Sequence, residues 1–193
     1  MTSAIVPAAG KAERFGGNKL LVEIAGVPML ERTLRSLLKG GAAQVVVTLD
    51  GGATIGEAIN LRAAINSFRD SRVRMTLNRA PERGMFSSIQ IAVGEASGDP
   101  ILVLPGDMPF VRSDTVAAVI ESYRAAPAIV LPRFNGRHGH PIAIPASLRD
   151  EIVSSDASIT LSEIIKRHAS VTRELDVDDA GILRDVDRAS DLT

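Results

Sequence analysis

The sequence predicts an α/β fold: one doubly wound, mainly parallel sheet flanked by helices, with a small hairpin or lid inserted. Two observations predict it. Short apolar runs alternate with segments of helical period, and that alternation builds parallel sheets covered on both faces. The runs are also nearly unbroken Val, Ile and Leu, as strands buried on both faces require. At 193 residues and 45% apolar content, a single domain over residues 1–193 with a sizeable core is expected.

Strands are expected at 3–8, 44–49, 72–77, 100–104 and 127–132. Pro28 suits a first helical position, and Leu30, Leu34, Leu37 and Leu38 follow on one face until Gly40-Gly41 stops the helix. Ser113 is placed to cap a helix bearing Val116, Val119, Ile120 and Tyr123. The stretch 133–145 breaks the rhythm with Asn135-Gly136 and two prolines, and is assigned to the hairpin or lid. Helices near 146–153 and 159–168 follow, then a strand near 170–175. No repeat, low-complexity tract or linker interrupts this order.

Composition narrows the function. The net charge is −1, without a long basic or acidic run, so neither a nucleic-acid partner nor a membrane surface is expected. Tyr123 and five phenylalanines are the aromatics, too few to stack single-stranded bases. Cysteine is absent, which removes disulfides, thiolate catalysis and cysteine-ligated zinc and fits a reducing cytoplasm. The start of the chain lacks signal-peptide character, and no apolar stretch approaches the ~18 residues of a membrane span.

The first strand empties into Gly10-Lys11-Ala12-Glu13-Arg14-Phe15-Gly16-Gly17-Asn18-Lys19, a loop with three glycines and three cations. Glycines let the main chain turn and approach a phosphate closely, and successive N–H groups make an anion-binding concavity. Arg14 can fork onto phosphate oxygens and Lys19 can add a point charge. Two familiar phosphate loops are excluded: Lys19 lacks the Gly before it and the Ser or Thr after it that a Walker A loop needs, and G-x-G-x-x-G occurs nowhere. A solvated surface loop is the plain alternative.

Asp107 lies just past a buried strand in Leu104-Pro105-Gly106-Asp107-Met108-Pro109. Ligands of open α/β sheets collect at the carboxyl ends of strands. A carboxylate there suits Mg²⁺, which takes hard oxygen ligands and shares its shell with phosphates and water; the alternative is an Asp that stabilises its own turn. Asp185 and Asp187, two apart, face the same way on an extended segment, and one of them is a candidate to complete the metal shell. Asp176, Asp178 and Asp179 read as solvated. Gly84-Met85-Phe86-Ser87-Ser88 opens a helix, and its serines serve either as caps or as nucleotide ligands. His138 and His140 form H-x-H, but with His168 the only further histidine and no cysteine a zinc site is disfavoured.

Five segments in register carry a resemblance. Ala8-Ala9-Gly10 with Arg14, Gly16 and Lys19 resembles the signature loop of MobA-like nucleotidyltransferases, and within them is most similar to molybdenum cofactor cytidylyltransferases. The segments Gly84–Ser88, Leu104–Pro109, Gly139-His140-Pro141, and Asp185-Val186-Asp187 with Asp191 fall in the family's order. The resemblance implies a Rossmann-like fold and an enzyme that moves a nucleotidyl group from an NTP, CTP in this subgroup, to the phosphorylated pterin of the molybdenum cofactor, releasing pyrophosphate. It implies Mg²⁺ held by Asp107 and Asp187. Arg14 and Lys19 would be catalytic beside Asp107, and nucleotide would be bound through Ala8, Ala9, Gly10, Gly16, Lys19, Gly84, Ser87 and Ser88. A molybdoenzyme or its chaperone is the implied protein partner. Met108 stands where cytidylyl enzymes often carry Gln, and Asp-Met-Pro is also typical of guanylyl relatives. Guanylyl transfer, transfer to another phosphorylated metabolite, and a non-catalytic nucleotide-binding regulator therefore remain alternatives.

Overall fold

A computed structural model of the chain describes residues 1–9, 19–51, 55–156 and 158–192. In chain order its elements are β1 (Ser3–Ala8), β2 (Glu23–Ile24), β3 (Val27–Pro28), α1 (Met29–Lys39), β4 (Gln44–Asp50), α2 (Ile55–Ser67), β5 (Val73–Asn78) and α3 (Met85–Glu95). There follow β6 (Ile101–Val103), α4 (Ser113–Ala125), β7 (Ile129–Phe134), β8 (Arg137–His138), β9 (Ile142–Ile144), α5 (Arg149–Ser154), α6 (Leu161–Arg167) and β10 (Thr172–Asp176). The main sheet runs β5-β4-β1-β6-β9-β7-β10. Pairings β4–β5, β1–β4, β1–β6 and β7–β10 are parallel, whereas β9 is antiparallel to both β6 and β7.

The period-2 geometry of strands divides the core into two layers. Ala4, Val6, Val45, Val47, Leu102 and Val130 face one layer, with Leu34 and Leu37 of α1 and Val116, Val119 and Ile120 of α4. Ile5, Val46, Ile101, Val103, Ile129 and Leu131 face the other, with Ile89 and Val93 of α3, Ile152 of α5 and Ile164 of α6. The central strands β1 and β4 are fully buried until Asp50, and this explains their mainly apolar character; the buried polar Thr48 donates to the Ser88 carbonyl and Ser3 to Gln44. Among the described residues no helix is long and apolar enough to cross a membrane.

Four sequence expectations change. The stretch 133–145 does contain a hairpin, β7–β8 turned by Asn135-Gly136, but Ile142–Ile144 is a strand inside the main sheet. Three apolar residues between Pro141 and Pro145 are too few to read as a strand, and pairing on both sides is what makes them one. Ser113 supplies no cap, since it is the first residue of α4. The cap comes from Asp179, whose Oδ2 accepts from the Arg112 N–H at 2.9 Å and the Thr115 hydroxyl at 2.7 Å, while Oδ1 accepts from the Gly181 N–H. Asp179 is thus buried, at 5% exposure, rather than solvated. Pro28 precedes α1 as its N-cap residue rather than opening it.

Candidate active site

The carboxyl end of β6 builds the site. The strand's ladder continues past its last residue, Leu104 N–H donating to Ile5 and Gly106 N–H to Pro7. The buried Thr33 hydroxyl of α1 donates to the Gly106 carbonyl. These bonds hold the turn that presents Asp107, so Asp107 is aimed by backbone ladder and helix together.

Lys19 begins a single 3-10 turn, Lys19–Leu21, pinned by buried Leu20. Its Nζ lies 2.8 Å from Asp107 Oδ2, 3.0 Å from Asp187 Oδ1 and 3.1 Å from the Val186 carbonyl. The tail reaches this point because Val186 is fully buried and its N–H donates to the Asp107 carbonyl. Asp191 fixes the next turn by accepting from the N–H groups of Asp187 and Arg188. Burial works against the Lys19 charge, but the hydrogen bonds and charges of Asp107 and Asp187 outweigh it and raise its pKa above the ordinary 10.5. The Asp107 side chain is 20% exposed and that of Asp187 53%, so the first is the sheltered carboxylate and the second the outer one.

Beside this triad opens a cleft of about 460 Å³. Pro7, Ala8 and Ala9 form its floor, with Lys19 and Asp107 at one side and Gly84, Met85 and Ser88 at the other. Gly84 sits before α3 with φ +90°, a region closed to most side chains, which explains a glycine at that corner. Ser88 lines the cleft; Ser87 is buried and donates to the Gly84 carbonyl. Neither serine caps the helix, because α3 starts at Met85. Gly10, Arg14 and Gly16 lie outside the described residues.

The sequence missed Asn78. Fully buried at the end of β5, it donates from Nδ2 to the hydroxyls of Ser87 and Ser88, at 2.8 and 3.0 Å. Its place at the carboxyl end of a predicted strand was the available signal. Met108, which stands where cytidylyl enzymes often carry Gln, is 5% exposed and packs in the core rather than among the residues that line the cleft. Asp185 is exposed on the other side of buried Val186, and its charge acts on His140, whose imidazole burial pushes down to about 4. Among the described residues no three His, Cys, Asp or Glu side chains gather as a metal cluster, so a cation here would depend on Asp107 and Asp187 with substrate oxygens.

A family model described as a MobA-like NTP transferase domain matches residues 4–171. The chain belongs to the MobA-like NTP transferase family. Curated relatives of this MobA-like chain include the bifunctional protein GlmU of Novosphingobium aromaticivorans, 33% identical over 80% of the chain and 34% of the relative. The chain thus spans about a third of that relative's length. A probable molybdenum cofactor guanylyltransferase of Methanosarcina acetivorans is 30% identical over 68% of the chain and 57% of the relative. Nicotine blue oxidoreductase of Paenarthrobacter nicotinovorans is 30% identical over 79% and 75%. Among solved structures, Rv0371c of Mycobacterium tuberculosis H37Rv superposes with TM-score 0.82 at 26% identity, covering 98% of this chain and 94% of that one. A nucleotidyl transferase from Methanothermobacter gives 0.79 at 25%, covering 99% and 94%.

Proposed function

We propose that the protein transfers a nucleotidyl group from CTP to a phosphorylated acceptor, for which the family relation nominates the pterin of the molybdenum cofactor. The observation that carries this is Lys19 bonded to both Asp107 and Asp187 at the edge of a cleft floored by Ala8 and Ala9. An acceptor phosphate oxygen attacks the α-phosphorus; a P–O bond forms there as the bond to the bridging oxygen breaks and pyrophosphate leaves. A phosphate nucleophile is already ionised at neutral pH, so no general base is needed, and catalysis is positioning plus charge neutralisation. Lys19, joined in this reading by Arg14, neutralises the leaving pyrophosphate. The remaining nucleotide contacts assigned to Gly10, Gly16, Gly84 and Ser88 belong to the same reading, whereas Ser87 is buried against Asn78 and the Gly84 carbonyl.

Two carboxylates beside a triphosphate site call for a cation, and their oxygen-only donor set fits Mg²⁺. Asp107 and Asp187 would hold it. Mg²⁺ bound there would screen the phosphates and polarise the α-phosphoryl group. A molybdoenzyme or its chaperone as recipient of the product, and a cytoplasmic setting, complete the proposal.

Pyrophosphate release measured with each NTP, Mg²⁺ and candidate acceptors tests it; the expected donor is CTP. The guanylyltransferase relative favours a second reading, with GTP as donor. An oxidoreductase among the relatives shows that the family is not confined to transferases by name, and a third reading is that the cleft binds nucleotide without transferring it. Absence of pyrophosphate release with every NTP while nucleotide still binds selects that third reading.

A further inference from the structure

Asn78 ends β5 with its side chain fully buried, and its Oδ1 accepts from the Ala80 N–H at 3.0 Å. A backbone N–H can only donate, so this bond fixes which end of the amide is the oxygen. Both amide hydrogens therefore point at α3, one to the Ser87 hydroxyl and one to the Ser88 hydroxyl. Each serine oxygen already accepts, and each has its own hydrogen left to place. Ser87 donates to the Gly84 carbonyl at 2.7 Å. The Ser88 hydrogen meets no acceptor among the described residues. Ser88 is 2% exposed, and the side on which it is open is the cleft it lines. Its backbone is held as well, because the buried Thr48 hydroxyl donates to the Ser88 carbonyl at 3.1 Å. A buried, anchored hydroxyl thus keeps one unmatched hydrogen for whatever enters the cleft.

We propose that Asn78 is a positioning residue that sets the Ser88 hydroxyl as a hydrogen-bond donor to the base of the bound nucleotide. The proposal rests on the nucleotidyl-transfer reading only in taking a nucleotide as the ligand. Lys19 and Asp107, which suit phosphate and its metal, lie across the cleft from Ser88, so the nucleoside end falls to the Ser88 side. A carbonyl oxygen or ring nitrogen of the base accepts the waiting hydrogen. An amino group in the same place would leave that hydrogen buried without a partner, and a buried hydrogen bond left unmade costs more than a made one gains. A site whose polar groups are fixed in advance rejects the wrong edge through such orphaned groups. The wall therefore selects an acceptor edge, and Asn78 makes the choice although it does not itself line the cleft.

The measurement is the affinity for CTP, with GTP beside it, divided by the affinity for inorganic tripolyphosphate, which carries the charge without the base. The ratio cancels changes in the phosphate half of the site. Asn78→Asp keeps the shape and reverses the polarity. Its carboxylate would accept from the Ala80 N–H and from both serine hydroxyls, so the Ser88 hydrogen turns away and a lone pair faces the base. The ratio is expected to fall at least ~10-fold in Asn78→Asp, and about threefold in Asn78→Ala, which leaves the hydroxyl free to rotate. In a Ser88→Ala background neither change should move the ratio further. A residue that merely packs β5 against α3 gives the reverse order, since alanine leaves a cavity and aspartate does not. That reverse order, or an effect that persists without the Ser88 hydroxyl, overturns the proposal. If Asn78→Asp does not fold, Asn78→Ala with and without the Ser88 hydroxyl decides alone. Binding of CTP and GTP no tighter than that of tripolyphosphate also overturns it, and leaves the Lys19 site untouched. The expected ratios without any pyrophosphate release sink the transfer reading and keep Asn78 in its role.

Discussion

The Lys19 ammonium lies 2.8 Å from the Asp107 carboxylate, though 88 positions separate them in the chain. Asp187, from the far end of the chain, closes on the same ammonium at 3.0 Å. One cation therefore balances two carboxylates where a phosphate chain and its metal would enter. Under the proposed function Lys19 has two tasks that exclude each other: it neutralises the acids before substrate arrives, and it would neutralise phosphate afterwards.

Lys19→Met separates these tasks. Turnover should fall by about 10²-fold, as for loss of one preorganised charge, with kcat reduced as well as KM raised. Without nucleotide the freed carboxylates should bind Mn²⁺ more tightly than in the unmodified protein, by titration of its paramagnetic signal. A raised folded pKa means stability that is full below the ordinary value of 10.5 and is lost as pH rises through the folded value. The stability gap between the two proteins should therefore hold below pH 10.5 and narrow as pH rises beyond it. A gap independent of pH would show that Lys19 contributes through packing instead.

Asp107→Asn keeps shape and removes charge. Lys19 retains Asp187 and the Val186 carbonyl, so thermal unfolding should move little. Pyrophosphate release should fall by at least ~10²-fold. Near-normal turnover in the folded variant would return Asp107 to the role of a turn residue.

Asp179→Ala is expected to be the more damaging of the aspartate changes for stability, although the residue lies outside the cleft. It strands the Arg112 N–H, the Thr115 hydroxyl and the Gly181 N–H together. Each orphaned donor costs on the order of 1 kcal/mol or more, so a loss of roughly 3 kcal/mol in denaturant unfolding is expected. A change below about 1 kcal/mol would mean that water or a neighbouring group replaces the carboxylate.

The sheet was legible because β1 and β4 are buried on both faces, which favours the Val, Ile, Leu and Ala that fill most of their positions. The place of Asp107, just past a buried strand, was legible, but its role was not, since an Asp in such a turn can equally serve the turn itself. Asp179 was not: its partners lie on α4, and nothing local separates a buried carboxylate from Asp176, which pairs with Arg133 in solvent. The strand Ile142–Ile144 was hidden for a related reason, since its identity comes from the neighbours β6 and β7 rather than from its own length. Asn78 likewise shows its role only where α3 folds back over β5 and brings Ser87 and Ser88 to its amide.

Base choice gives the last prediction. Met108 is buried under the site, so the difference between cytidylyl and guanylyl transfer must lie in what lines the cleft. Ala8 and Ala9 form part of that lining, and under the proposed function the Ala9 methyl would narrow the space for the base. A pyrimidine needs less room than a purine, so CTP is expected to exceed GTP in kcat/KM. Ala9→Gly removes the methyl and should raise GTP use while leaving CTP use within a few-fold. A steric margin of one methyl is worth about 1–3 kcal/mol, so the CTP-to-GTP ratio should drop by roughly 10–200-fold. Equal use of GTP by the unmodified protein would refute the cytidylyl assignment and leave nucleotidyl transfer standing. An unchanged ratio in Ala9→Gly would shift base selection to Pro81 and Glu82, on the other wall of the same cleft.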